Sequence, residues 1–163
     1  MIVIADTSPI NYLVLIDEIK VLPRIYGGIL IPQAVFDELL DSASPQKIRE
    51  WLSTRPDWLR ISDVVFAPDP LLEILDRGER DAILLAESIR AERLIMDDSD
   101  GRREAESRQL AVIGTLGVLA EAARRDLLDL GRALADLRKT NFYAAPALIE
   151  MLLANESKRR KKT

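Results

Sequence analysis

The sequence predicts an α/β protein, a three-layer α/β/α sandwich with a central parallel sheet. Short apolar runs indicate buried strands, and amphipathic stretches of helical length lie between them. Proline, glycine and small polar residues stand where the two kinds of element meet. The segments between the strands are long enough for the crossover connections that parallel strands require.

The first elements show this alternation. Residues 2–5 form an apolar run that ends at Asp6, which predicts a buried strand. Thr7-Ser8-Pro9 combines N-cap residues with a proline suited to the first helical turn, so a helix is expected over residues 7–16. A second, shorter helix is expected over residues 19–25, closed by a pair of glycines.

The later elements follow the same rules of apolar spacing and of breaker residues at their ends. The remaining predicted strands are residues 29–31, part of 58–65, 94–96 and 111–113. The remaining predicted helices are residues 32–40, 44–52, 78–91, 101–108, 115–125, 130–138 and 146–157.

The length of 163 residues suits one domain. We predict that this domain spans residues 1–157, with residues 128–157 as a C-terminal helical extension. No apolar run approaches the ~18 residues of a membrane span, and the N-terminus lacks the basic start of a signal peptide. The sequence therefore predicts a cytoplasmic protein with no membrane segment.

The net charge of −4 is unevenly distributed along the chain. The run from Lys158 to Lys162 contains five of the 23 basic residues, which leaves 18 basic and 27 acidic residues elsewhere. We expect residues 158–163 to form a disordered tail. Such a tail either keeps the chain in solution or contacts a phosphate backbone.

The absence of cysteine and histidine restricts the chemistry that the chain can perform. Disulfides, Cys/His zinc sites and histidine-dependent triads are excluded. Any catalysis therefore depends on carboxylates, hydroxyls, lysines or a bound metal. Carboxylate oxygens favour hard cations such as Mg²⁺ or Mn²⁺.

Acidic residues follow two of the predicted strands, at the edge of an open parallel sheet where ligands bind. Asp6 follows the first strand, and Asp97 and Asp98 follow the strand at residues 94–96. An aspartate at this position also caps a helix, which is the alternative for Asp6 or Asp100. Because two strands have the same ending, we favour a functional site.

Two predicted helices add further acids. Glu38 falls on the buried stripe of its helix, three residues after Val35. Glu79 lies near one edge of the apolar stripe of its helix, and Asp81 lies farther round the other edge. A favourable place near the helix dipole is the alternative for Glu79. Carboxylates gathered at one edge repel each other unless a cation neutralises them, and a bound magnesium ion can activate water for phosphodiester hydrolysis.

Four segments resemble the PIN-domain family, and more narrowly its VapC-like toxins and related prokaryotic members. In order along the chain they are IADTSPINYLVLI (4–16), IPQAVFDEL (31–39), LDRGERDAILLAESIRAERLIMDDSDGRREA (75–105) and VIGTLGVLAEAARRDLL (112–128). The resemblance implies a PIN-like α/β/α fold and a nuclease that cuts single-stranded RNA with Mg²⁺ or Mn²⁺. It also implies a homodimer and, for a toxin, a small antitoxin protein. The last 35 residues extend beyond the usual short toxin.

The resemblance also assigns roles by position. The catalytic acids would be Asp6, Glu38, Glu79 and Asp98, all of them metal ligands. Asp81 is the alternative middle acid, because it precedes an Ala-Ile pair as in the VapC-like sequences, whereas Glu79 belongs to a Gly-Glu pair. The further metal ligands would be Asp81 and Asp97, and the supporting residues Ser8, Asp100 and Thr115.

Other readings concern the arginines and the family role. Arg102, Arg103 and Arg108 either guide a phosphate backbone toward the acids or pair with Glu104 and Glu106 on a solvated helix face. A PIN-like module that binds nucleic acid without appreciable cleavage is the main alternative to a nuclease. A phosphorelay receiver is a weaker alternative, because Ile113 is followed by Gly114-Thr115 and not by a lysine.

Overall fold

A computed structural model describes residues 1–162 as a five-stranded, fully parallel sheet covered by helices on both faces. The predicted fold class is confirmed. The strands are β1 (Val3–Ala5), β2 (Ile29–Pro32), β3 (Leu59–Ser62), β4 (Arg93–Ile95) and β5 (Val112–Ile113). Their spatial order is β3-β2-β1-β4-β5, so β1 lies at the centre between β2 and β4. The residue that follows β1 is therefore in the middle of the carboxyl edge.

The helices within residues 1–162 lie between the strands or after the last one, close to where the sequence predicts them. They are α1 (Thr7–Leu15), α2 (Val21–Tyr26), α3 (Gln33–Leu40), α4 (Gln46–Ser53), α5 (Arg77–Ser88), α6 (Ser99–Ser107), α7 (Thr115–Arg124), α8 (Leu130–Arg138) and α9 (Pro146–Lys161). A short 3-10 helix spans Pro70–Leu72. None of these helices has the length and the hydrophobicity needed to cross a membrane.

The alternation of side chains along the strands separates two hydrophobic cores. Val3 and Ala5 of β1 face a larger core that contains residues from α1 to α4 and from α7 to α9. Ile4 faces the opposite way and joins a smaller core built mainly from α5, α6 and β4. The sheet is therefore the middle layer of three, which holds its carboxyl edge in a fixed place.

The prediction of a disordered tail from residue 158 is wrong for residues 158–161, which continue α9. Arg159 donates hydrogen bonds to Glu156, to Asp126 and to the carbonyl oxygen of Ala123. These contacts join the end of α9 to the end of α7, and they stabilise a helical conformation that the basic composition alone does not indicate. Lys162 caps the helix, and Thr163 lies outside the described residues.

Candidate metal centre

Asp6 and the Asp97-Asp98 pair meet at the carboxyl edge because β1 and β4 are neighbours. Ala5 is in register with Ile95, and the Asp6 backbone N–H donates to the Ile95 carbonyl oxygen at 2.9 Å. The acids that follow the two strands therefore lie side by side, as the sequence predicts for this edge.

Asp6 is the most buried acid of this edge, with 3% of its surface exposed. It stands at the N-cap position of α1, but its side chain makes no capping hydrogen bond. Among the described residues, its Oδ1 atom is buried without a hydrogen-bond partner. Burial raises the pKa of Asp6 well above its usual value, the backbone N–H of Thr7 opposes this shift, and the nearby carboxylates of Asp76, Glu79 and Glu38 add to it. The capping alternative therefore does not account for Asp6.

Glu38 is held at the site by α1 and α5. Its carboxylate accepts a short hydrogen bond from the Thr7 hydroxyl and a 3.1 Å hydrogen bond from the Gly78 N–H. Burial raises the pKa of Glu38, and the charge of Asp76 also contributes to the increase. Gly78 leaves room for this carboxylate, since a Cβ atom at this position would lie 2.5 Å from Glu38 Oε2.

Replacing Gly78 with alanine is expected to displace the Glu38 carboxylate and weaken metal binding. The new methyl group would meet the flexible end of a side chain, so the fold should survive. We expect an affinity loss of about tenfold, the lower range for disturbing a group that orients metal ligands. Isothermal titration with Mn²⁺ measures this affinity. Gly131→Ala is the matched control, since its Cβ would have only ordinary contacts, and an equal loss in both variants would contradict the prediction.

Asp76 is a site residue that the sequence reasoning missed. It forms a capping box at the start of α5: its carboxylate accepts from the Glu79 N–H at 2.8 Å, and Glu79 Oε2 accepts from the Asp76 N–H at 3.2 Å. The charge of Asp76 raises the pKa of Asp6, Glu38 and Glu79. The Asp-x-x-Glu spacing before an apolar run was the available signal, because it is typical of a helix start.

The geometry favours Glu79 over Asp81 as the middle acid. Burial first, and then the charges of Asp76 and Asp98, raise the pKa of Glu79 to about 7. The pKa of Asp81 is also raised by burial, but its charged neighbours are Arg77 and Arg80. Asp81 lines a different cleft, together with Phe66, Asp69 and Arg80. Glu79 is thus the one of the two that interacts electrostatically with Asp6 and Asp98.

The two acids after β4 are held in different ways. Asp98 caps α6 through a 2.8 Å hydrogen bond from the Gly101 N–H to its Oδ2 atom. Both oxygens of Asp97 accept hydrogen bonds from Thr115, at 2.7 Å from the N–H and at 2.6 Å from the hydroxyl. Burial raises the pKa of Asp97, while these two bonds and the charge of Arg102 oppose the increase. Thr115 therefore fixes Asp97 at the start of α7.

The remaining predicted site residues have separate positions. Ser8 lies in the first turn of α1, and within residues 1–162 its hydroxyl makes no hydrogen bond to these acids. Asp100 forms an exposed ion pair with Arg103 at 3.4 Å on α6. Arg102, the preceding residue, is half-buried and points toward Asp97 and Gly114. Arg102 and Arg103 therefore face different surroundings, and within residues 1–162 neither is paired with Glu104 or Glu106. The predicted pairing is present at Arg108, whose guanidinium lies 3.0 Å from Glu104 Oε1.

The acids of this edge fit a hard divalent cation by their chemistry. Within residues 1–162 no three acidic groups lie close enough together to form a ready-made cluster of ligands. However, Asp6 has a buried oxygen atom without a partner, and several neighbouring carboxylates raise its pKa. A divalent cation supplies the missing partner for oxygen ligands of this kind and neutralises their repulsion.

Comparisons with known proteins extend this description. Neither the curated proteins nor the solved structures contain a significant match to the chain. A family model described as a PIN domain matches residues 2–158, nearly the whole sequence. This span includes all five strands and the complete set of acids at the carboxyl edge. The chain therefore belongs to the PIN-domain family.

Proposed function

We propose that the protein is a metal-dependent endoribonuclease that hydrolyses phosphodiester bonds of single-stranded RNA. PIN domains are nuclease-type modules that bind nucleic acid, which sets the general class of activity. The observation that carries the proposal is the unpartnered, buried carboxylate oxygen of Asp6 among the acids Glu38, Glu79 and Asp76. A carboxylate buried in such a place either takes up a proton, as its raised pKa allows, or is paired with a cation.

Asp6, Glu38, Glu79 and Asp98 are the residues that would hold Mg²⁺ or Mn²⁺. The bound ion would lower the pKa of a water molecule and neutralise charge that develops on the phosphoryl group. Glu38 is oriented by Thr7 and Gly78, and Glu79 by the Asp76 backbone. Thr115 donates hydrogen bonds to both oxygens of Asp97. In the proposal Asp97 therefore positions the β4 end of the site and keeps these contacts during the reaction.

In the metal-free protein the pKa of Glu79 is raised to about 7, so its protonated and ionised forms are both present near neutral pH. In the metal-bound site, neutralisation of the surrounding charges would lower this pKa and favour the carboxylate. Glu79 therefore acts in the proposal as a ligand, and its raised pKa is a property of the metal-free protein.

The test is RNA cleavage by the purified wild type on a pool of single-stranded RNAs, with Mg²⁺ or Mn²⁺ and with a chelator. Cleavage that requires the added metal and stops in the chelator is the expected result. Cleavage that survives the chelator would contradict the proposal. RNA binding without any cleavage would favour the alternative, a PIN-like binding or regulatory module.

The resemblance to VapC-like proteins also implies protein partners, a second copy of the chain and, for a toxin, an antitoxin. We expect a homodimer, and the exposed apolar side chains Val65, Leu71 and Ile74 between β3 and α5 offer a surface for self-association. Light scattering at several concentrations measures this state. The toxin role and its antitoxin stay predictions, and a small open reading frame directly upstream would support them.

A further inference from the structure

A separate cleft opens beside the acids, between the start of α7 and the C-terminal segment. Its volume is about 400 Å³, and Asp97 lies in its wall. Arg102 and Gly114 also line it from the sheet edge, while Tyr143 and Leu152 line it from the C-terminal segment. The cleft has the size of a small-ligand site, for which ~300–1,000 Å³ is typical. The C-terminal helical region, residues 128–157, thus builds part of a cavity next to the candidate centre.

A cationic group is available on the sheet side of this cleft. The guanidinium of Arg102 lies against the backbone of Gly114, where a Cβ atom would be 2.6 Å from Nη1. Its charge acts on Asp97, but in residues 1–162 no ion pair within 4.0 Å is recorded for it. Both oxygens of Asp97 are already hydrogen-bonded by Thr115. Arg102 therefore retains donors for an anionic ligand.

The opposite side of the cleft is aromatic and firmly anchored. The ring of Phe142 packs edge-on against that of Tyr12, with 4.9 Å between the ring centroids and an interplanar angle of 85°. The Tyr12 hydroxyl donates to Asn141 Oδ1 at 2.9 Å, and the Phe142 N–H donates to Thr140 Oγ1 at 3.1 Å. The next residue, Tyr143, is 85% exposed at the cleft. The ring of Tyr143 is thus exposed to solvent, while the two residues before it are held in place by their contacts.

We propose that this cleft binds a nucleotide of the substrate strand next to the scissile phosphodiester, with its base on Tyr143 and a backbone phosphate at Arg102. This inference rests on the proposed function and adds to it the place where the strand is held. Aromatic rings and an arginine along a groove are the usual means of binding a single strand, since every base has a π-face. An apolar protein partner would bury Arg102 and Asp97 without satisfying the arginine, so a phosphate-bearing ligand fits the wall better.

The test measures binding of a fluorescein-labelled, phosphorothioate-linked RNA of roughly ten nucleotides, a length within the usual site size. Fluorescence anisotropy in excess Mg²⁺ gives Kd for wild type, Tyr143→Ala and Tyr143→Phe. We expect Tyr143→Ala to raise Kd about tenfold, and Tyr143→Phe to stay within about twofold of wild type, because stacking needs the ring. Met151→Ala is the control, since Met151 is an exposed apolar residue of α9 that does not line the cleft.

Arg102→Ala provides a second, independent readout. Loss of one phosphate contact should weaken binding for every sequence and reduce the slope of log K against log salt by about one. A DNA strand of the same sequence distinguishes a cleft for RNA from one that accepts either nucleic acid. An unchanged Kd for Tyr143→Ala, or no binding by the wild type, would overturn the inference.

Hydrolysis of bis(p-nitrophenyl) phosphate separates this inference from the proposed function. At saturating concentration this small diester reports mainly on the acids, so we expect Tyr143→Ala to reduce binding of the RNA strand more than hydrolysis of the diester. If the variant loses that activity or changes its oligomeric state, Tyr143 serves the fold or a self-interface and the inference is wrong. If the wild type binds RNA through Tyr143 but hydrolyses neither unmodified RNA nor this small diester, the nuclease proposal is wrong and the inference about the cleft is supported.

Discussion

Replacing Asp6 with asparagine is expected to abolish metal-dependent RNA cleavage and to make the metal-free protein more stable. Removing a metal ligand should cost at least the ~10²–10³-fold in rate that loss of one transition-state hydrogen-bond donor costs. The substitution also removes a buried negative charge whose pKa is raised by burial and by three neighbouring acids. Because the charged form of this group is disfavoured in the metal-free fold, we expect the free energy of unfolding at pH 8 to increase.

Single-turnover cleavage and urea denaturation in chelator measure the two effects of Asp6→Asn. Asp81→Asn is the matched control, because Asp81 is an acid of the same domain that lies beside Arg77 and Arg80. It should retain cleavage, and its loss of activity would show that Asp81, and not Glu79, is the middle acid. A destabilised Asp6→Asn protein would contradict the view that Asp6 is held for a cation.

Addition of Mg²⁺ is expected to stabilise the folded protein strongly at pH 8 and only weakly at pH 5.5. A ligand at 100 times its Kd that binds only the folded state adds about 2.7 kcal/mol to the free energy of unfolding. At the lower pH, protons compete with the metal for the same oxygens. Thermal unfolding at both pH values, with Mg²⁺ and with chelator, measures the difference.

The metal-free protein should show the opposite dependence on pH. The pKa values of Asp6 and Glu79 are raised in the folded state, to about 7 for Glu79, so the folded state binds more protons than the unfolded chain in the acidic to neutral range. The contribution of Glu79 to stability is fully present below the usual carboxyl pKa of about 4 and is lost as the pH rises through about 7. That of Asp6 is lost in the same direction, as the pH rises through its own raised pKa. Asp63→Asn, an exposed substitution, should leave this dependence intact. Metal-free stability that does not fall between pH 5.5 and pH 8 would contradict this prediction. A stabilisation by Mg²⁺ of equal size at both pH values would contradict the previous one.

The parts of the site that the sequence predicts are those that depend on local pattern. Asp6 stands directly after an apolar run and Asp98 one residue farther from another such run, while Glu38 lies on the buried stripe of its own helix. Each signal is therefore contained in a few residues. The choice between Glu79 and Asp81 is not local. It depends on how the start of α5 packs against α3, where the Gly78 N–H binds Glu38.

Other features needed contacts between distant parts of the chain. Asp76 has no apolar strand before it, and its position near Asp6 and Glu38 arises only when α5 packs beside β1 and α3. The basic tail looked disordered because its composition is uniform, whereas the contact of Arg159 with Asp126 joins residues far apart in sequence. The strand order likewise follows from pairing across the sheet, which no single segment contains.

The reciprocal hydrogen bonds between Asp76 and Glu79 make the same four residues both a helix start and a part of the acidic edge. A substitution at this point therefore has two effects: Glu79→Ala removes a charge and also removes the hydrogen bond that the Asp76 N–H donates to Glu79, one half of the capping box of α5. Glu79→Gln keeps the capping geometry, because glutamine replaces glutamate in such boxes. In relatives that keep this domain but lack activity, we therefore expect glutamine at the position of Glu79.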